Sequence, residues 1–207
     1  AHWDYVRTHD PRGAEKPCII GEAGLNDDAK HPASNPHIGE HVYGIFMADY
    51  AVQAARAGSA SVSAWMLDDN CHAGFSWGLW DNKTNGMKLR PWFYPWSLLC
   101  RQFPAGSAMF RVPACSPDVR ILAAKTPGGA WSFCVVNRAD KPAEFLLRVP
   151  EGPACDLRHY LYSASQAPAD ENGFPQSVDT ISAELNLGVS VSVPQDSVGF
   201  YTGYAPK

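Results

Sequence analysis

The stretch "PCIIGEAG", residues 17–24, joins a short apolar run to one carboxylate set between two glycines. Cys18, Ile19 and Ile20 read as a strand of a parallel sheet, buried on both faces. Glu22 falls at the tip of that strand. A carboxylate beside a buried strand is normally paired or used. Functional groups of parallel α/β barrels gather at the carboxyl ends of strands. Gly21 and Gly24 let a ligand approach the backbone closely. A loop carboxylate that caps a helix or pairs with a lysine fits the same eight residues.

Outward from this stretch, strand and helix signals alternate as far as residue 107. A polar loop, 25–34, leads into "SNPHIGEHVYGIFMADYAVQAARAG", read as a helix with Asn35 as N-cap, Pro36 as its first residue and Gly58 as its stop. "SVSAWML", 61–67, reads as the next strand. A long aromatic loop, 68–90, and a helix over "PWSLLCRQF" follow. Strand, loop, helix, strand, loop, helix is the βαβα order of a parallel sheet. From residue 108 the pattern is all β. "DVRILAAKT" and "AWSFCVVNR" flank the turn Pro127-Gly128-Gly129, and "AEFLLRVP", "DLRHYLYS", "VSVSVP" and "SVGFYTGY" follow. The expectation is an α/β unit over 1–107 and an antiparallel β-sandwich over 108–207.

Of the 207 residues, 45% are hydrophobic and 18% charged, enough apolar material for a packed core. The net charge is −4 and no run of Lys and Arg occurs, so nucleic acid is not an expected partner. No apolar stretch approaches the ~18 residues that span a bilayer, and no membrane role is expected. The chain begins Ala-His-Trp without Met, which suggests that a preceding segment was removed or lies outside it. Localisation stays open, with secretion or the periplasm the favoured compartments. None of the six cysteines forms a CxxC pair. Cys18, Cys100 and Cys134 read as small buried hydrophobes. Cys71, Cys115 and Cys155 read as loop residues among which a disulfide can form.

Glu22 has candidate company. Trp65 ends the next strand at the corresponding level. "AHWDY" places His2, Trp3 and Tyr5 near the same rim, as the tail of a preceding strand. A carboxylate ringed by Trp, Tyr and His suits sugar chemistry: rings stack on pyranose C–H faces while the carboxylate attacks or stabilises an anomeric centre. Asp68 and Asp69 read as hydrogen-bonding partners of such a site. Trp77 and Trp80 either line an outer sugar subsite or pack the long loop onto the sheet. "HIGEH", 37–41, matches an inverted zinc-protease pattern, but Pro36 and Gly39 disturb the helix and a third ligand is lacking, so no metal is expected. "DDNCH", 68–72, reads as a polar loop at a sugar site rather than a metal site.

The order "HWDY … CIIGEAG … helix … VSAWMLDD … WGLWD … PWFYPWSLLCRQFPAGS", followed by a small β-sandwich, resembles the last third of a retaining glycoside hydrolase of the cellulase-like (β/α)8-barrel clan. The resemblance implies the C-terminal part of such a barrel followed by a sandwich. It implies Glu22 as the nucleophile that ends strand seven and Trp65 as the sugar platform that ends strand eight. His2 and Tyr5 would orient Glu22 or contact substrate. Asp68 and Trp77 would be further substrate-binding residues. The implied reaction is double displacement on an oligo- or polysaccharide, with no cofactor.

Two points depart from that pattern. The clan's acid/base glutamate follows an Asn at strand four, and no Asn-Glu pair occurs here. A (β/α)8 barrel needs roughly 250 residues, far more than the first 107. The expectation is therefore that a missing N-terminal barrel segment or a companion chain completes the site. The competing reading is a non-catalytic carbohydrate-binding or structural module.

Overall fold

A computed structural model describes residues 2–25, 35–69, 75–113, 116–165 and 169–206, with side chains from Trp3 onward. The chain opens with helix α1, His2–His9. Strand β1, Cys18–Ala23, precedes helix α2, His41–Arg56, and strand β2, Ser59–Ala64. After the aromatic loop comes helix α3, Phe93–Gln102. Eight strands complete the described elements: β3 Ala108–Arg111, β4 Val119–Lys125, β5 Trp131–Asn137, β6 Ala143–Leu147, β7 Ala154–Tyr162, β8 Asp179–Glu184, β9 Val189–Val193 and β10 Ser197–Thr202.

β1 and β2 pair in parallel, with Ile20 opposite Val62 and Ala23 opposite Ala64. The other strands are antiparallel. Six form one sheet in the order β3-β4-β5-β10-β7-β8, and β6 pairs with β9 separately. The fold is thus mixed α/β and sheet-rich, dominated by one large antiparallel sheet. The β4–β5 hairpin closes at the predicted turn: Thr126 N–H donates to Ala130 O at 2.8 Å, and Gly129 takes φ +87°, which glycine adopts without steric cost.

Alternation along the sheet builds two cores. Ile121, Phe133, Val135, Leu157 and Tyr201 face the β6–β9 ladder and pack with Leu147, Val191 and Val193. Leu122, Cys134, Val136, Val198 and Phe200 face the other way, onto Ile45, Ala48 and Val52 of α2 and Leu98 of α3. Strand β10 is buried along its whole length because both of its faces are covered. The opposite flank of α2, through Tyr43 and Met47, joins Ala23, Trp92 and Trp96 in a third cluster beneath β1 and β2. Helix α2 is therefore a buried slab between the parallel pair and the antiparallel sheet. Its one buried acid, Asp49, is held by Arg138 at 3.0 Å, Arg120 at 3.8 Å and Gln53 at 3.0 Å. Those ion pairs fasten the helix to the sheet.

The structure corrects several local expectations. "AHWDY" is not strand: residues from His2 onward are helical, with Asp4 in the first turn and Arg7 and His9 in the last, as the helix dipole favours. Asn35 does not cap α2. The 36–39 segment is a turn, Ile38 N–H donating to Asn35 O and Glu40 N–H to His37 O, and the helix starts at His41 after Gly39. Gly58 does stop α2, at φ +92°. Strands β3 and β8 are additional to the strands expected from the sequence. Cys155 lies in strand β7 rather than a loop, and Cys100 is on the exposed flank of α3. Cys71 and Cys115 lie outside the described residues.

Candidate functional site

The site grows from two adjacent parallel strands. Glu22 is the penultimate residue of β1, and Trp65 directly follows β2. Trp65 N–H donates to Ala23 O at 2.8 Å, which extends the pairing past the end of β2 and sets both residues at the carboxyl end of the pair. The Trp65–Met66 peptide is cis. Glu22 is exposed and, among the described residues, makes no hydrogen bond or ion pair. It is therefore neither a helix cap nor a lysine partner within them. Trp65 is 38% exposed, a large ring left partly open beside a free carboxylate.

Behind this rim the chain is tightly tied. Met66 N–H donates to Trp77 O at 3.1 Å, Leu79 N–H to Met66 O at 2.9 Å and Trp80 N–H to Leu67 O at 3.1 Å. Residues 77–80 thereby run alongside the extension of β2. Trp77 is only 9% exposed, and its ring lies 3.3 Å from where a side chain on Gly24 would begin. A side chain at Gly24 would be tight against the Trp77 ring, which would have to give by a few tenths of an ångström. Trp77 packs the loop against the strand end.

Asp69 is the hub of that packing. One carboxylate oxygen accepts the N–H groups of Trp77 (2.9 Å) and Gly78 (2.8 Å) and Nη1 of Arg90 (2.7 Å); the other accepts Arg90 Nη2 at 2.5 Å. Arg90 also reaches Asp81 at 2.7 Å and Gly78 O at 2.8 Å, and Trp92 Nε1 donates to the same carbonyl at 3.1 Å. Burial would raise the Asp69 carboxyl, but the Arg90 hydrogen bond and the Gly78 and Trp77 N–H groups outweigh it. They hold the carboxyl below the usual carboxylate value. Asp69 is thus fully engaged and unsuited to protonating a leaving group. Asp68, half-buried, forms an isolated parallel β-bridge with Trp80.

The loop after Glu22 is anchored from below. Tyr43 Oη accepts Leu25 N–H at 3.2 Å, and buried Asn35 donates to Leu25 O at 2.8 Å and Tyr43 Oη at 3.0 Å. This is the role of Asn35 in place of capping.

The remaining sequence candidates fall elsewhere. Tyr5 lies exposed on α1 with its ring stacked on His9 at 4.0 Å. Arg7 of the same helix approaches Gly58, at the amino end of β2 and so opposite Trp65. His2 begins α1. In the HIGEH segment, His37 pairs with Glu40 at 2.7 Å while His41 Nε2 contacts Asp196 O at 2.7 Å. The two imidazoles thus have separate partners, and among the described residues no cluster of three metal-ligating side chains occurs. Asn70, Cys71 and His72 lie outside the described residues. Sequence reasoning missed Arg90, Asp81 and Tyr43 and gave Asn35 a different role. The charge pair in particular joins residues 21 positions apart across a loop.

These features define a class: a parallel strand pair that presents a free carboxylate and a partly open tryptophan at its carboxyl end, backed by helices and a large antiparallel sheet. Solved structures place that fold. No family model matches the sequence, and no curated protein matches it. The chain is similar to a glycoside hydrolase family 30 subfamily 8 xylanase from Clostridium acetobutylicum, with TM-score 0.71 and 15% identity over 94% of this chain and 44% of that one. It is similar to a family 30 endoxylanase from Clostridium papyrosolvens, with TM-score 0.66 and 11% identity over 95% of this chain and 51% of that one. A family 51 arabinofuranosidase from Xanthomonas axonopodis pv. citri gives TM-score 0.63 and 15% identity over 97% of this chain and 43% of that one. The chain therefore has the fold of part of these cellulase-like glycoside hydrolases and spans about half their length or less.

Proposed function

We propose that the chain is the C-terminal portion of a retaining glycoside hydrolase, holding the last strands of a (β/α)8 barrel and a β-sandwich packed behind them. Glu22 is the nucleophile, and Trp65 stacks under the sugar that reacts. The observation that carries this reading is a carboxylate without a partner among the described residues and a partly open tryptophan at the carboxyl ends of adjacent parallel strands, joined by the bond from Trp65 N–H to Ala23 O.

Double displacement needs two carboxyl groups about 5–5.5 Å apart. Glu22 attacks the anomeric carbon as the glycosidic bond breaks, and a general acid protonates the leaving oxygen. Water then attacks the glycosyl-enzyme ester, and the same group, now a base, takes the water's proton. Asp69 cannot be that acid while it holds Arg90. The acid belongs to the polypeptide that completes the barrel, so the 207-residue chain alone does not turn over substrate efficiently.

In the complete enzyme, Glu22→Gln removes the nucleophile without changing its shape. Turnover of an aryl glycoside should fall on the order of 10⁴-fold or more, with the thermal midpoint unchanged. Near-normal turnover refutes the assignment. Sugar binding by the chain with no hydrolysis in the complete protein would support a carbohydrate-binding module instead.

A further inference from the structure

The ladder between β1 and β2 is irregular where Glu22 sits. Ile20 lies opposite Val62 and Ala23 opposite Ala64, so three steps along β1 match two along β2. The extra residue falls at Gly21 and Glu22. Such a bulge interrupts strand pairing, bends the chain and re-aims a side chain. Sheet pairing therefore brings Glu22 to the strand end without by itself fixing its direction. A bulged residue is only as well placed as the chain on either side of it.

On the near side, Ile20 is in register with Val62. On the far side, Ala23 O takes the Trp65 N–H, and the ladder goes no further. From there the chain is held by side chains. Both backbone groups of Leu25 are bound: its N–H donates to Tyr43 Oη at 3.2 Å, and its carbonyl accepts Asn35 Nδ2 at 2.8 Å. Asn35 Nδ2 also donates to Tyr43 Oη at 3.0 Å, so the two anchors are tied to each other. Each is 1% exposed. The Tyr43 ring stands edge-on to Trp92 with centroids 5.6 Å apart, in the cluster that also holds Ala23 and Met47. Helix α2 is thus the reference against which Leu25 is set.

This polar pair is buried at a cost. Asn35 Oδ1 has no hydrogen-bond partner among the described residues, which leaves its desolvation uncompensated. An apolar contact would hold the chain here without that penalty. It would not fix the orientation of the backbone, which bonds to both the N–H and the carbonyl of one residue do.

We propose that Asn35 and Tyr43 are positioning residues for Glu22. By pinning Leu25 they set the far side of the bulge, and with it the direction of the carboxylate. This rests on the functional reading above, in which Glu22 is the nucleophile. Misplacing a reacting group by about 1 Å can lose on the order of 10²-fold in rate. Loss of the anchor therefore reads out in the chemical step and not in substrate binding.

Steady-state kinetics of the complete protein on an aryl glycoside that it turns over tests this, at a temperature where every variant is folded. Tyr43→Phe keeps the ring and removes the hydroxyl. It should lower kcat at least about 10-fold and change KM less than about 2-fold. Asn35→Ala should do the same. The double variant should lose no more than either single one, because both residues act through Leu25. Val52→Ala, fully buried on the flank of α2 that meets the antiparallel sheet, should lower the thermal midpoint and leave kcat unchanged. A Tyr43→Phe variant that loses only thermal midpoint makes the pair a loop anchor and overturns the proposal, with Glu22 left standing as nucleophile. A raised KM at unchanged kcat moves the pair to substrate binding and also overturns it, as do losses that multiply in the double variant. Near-normal turnover by Glu22→Gln overturns the proposal and the functional reading together.

Discussion

Trp65 donates its backbone N–H to the carbonyl oxygen of Ala23 at 2.8 Å, so the tryptophan and Glu22 are both held at the carboxyl end of the strand pair by main chain, independent of either side chain. Replacing the ring therefore leaves the carboxylate in place. On the proposed reading, Trp65→Ala in the complete protein should lower kcat/KM about 5-fold through lost stacking worth ~1 kcal/mol. Steady-state kinetics on whichever oligosaccharide is turned over checks this. An unchanged kcat/KM would remove Trp65 from the substrate site.

The Asp69–Arg90 pair should dominate the stability of the aromatic loop. Asp69 is 3% exposed and carries both guanidinium bonds and two backbone N–H bonds. Asp69→Asn leaves the largely buried guanidinium with Asp81 as its remaining carboxylate partner, at a cost of about 1–3 kcal/mol. Urea denaturation of wild type and variant measures it. Arg90→Lys should also destabilise, because an ammonium cannot reproduce the paired bonds to one carboxylate.

Acid should weaken the fold through two groups with depressed folded-state values. For Asp69, stability is fully present above the unfolded value of ~3.9 and is lost as pH falls through the lower folded one. For His159, burial lowers the imidazole, partly opposed by Asp179 at 3.1 Å. Its Nε2 is buried without a partner among the described residues, beside the stacked Tyr201 ring. The neutral ring is therefore favoured in the fold, and its contribution is present above ~6.5 and lost as pH falls through the folded value. The urea midpoint should begin to drop just below about pH 6.5, and His159→Gln should flatten that first step while leaving the drop near pH 4.

Gly44 lies in α2 against β7, where an added Cβ would sit 2.3 Å from Tyr162 Oη. Alanine raises helix propensity by ~1 kcal/mol. The steric cost of ~1–3 kcal/mol, with loss of the bond from Tyr162 Oη to His41 O at 2.9 Å, should outweigh it. Gly44→Ala should lower the thermal midpoint, a sign opposite to that of the same change at an exposed helix position.

The main elements were legible because their apolar patterns are strong and their stops are explicit. CIIGEA, the 41–56 helix with Gly58 behind it, and the Pro127-Gly128-Gly129 turn all form where local chemistry places them. AHWDY misled because Trp3 and Tyr5 are β-formers on a segment whose helical support is only end charges. β3 is four residues long and exposed throughout, and β8 is mostly polar, so neither has a burial signature. Glu22 stood out as a lone carboxylate after an apolar run. Arg90 did not, since its partners Asp69 and Asp81 meet it only once the loop has closed.

Helix α2 carries a last consequence. Ile45 and Val52 are sealed by the antiparallel sheet while Tyr43 and Met47 are sealed under the parallel pair. Neither half can melt without baring one flank of this helix to water. The boundary that the sequence pattern suggests near residue 107 would thus be a seam in the chain and not in the folding reaction. Scanning calorimetry should record a single endotherm, and a truncation at that seam should yield aggregation in place of two smaller soluble proteins.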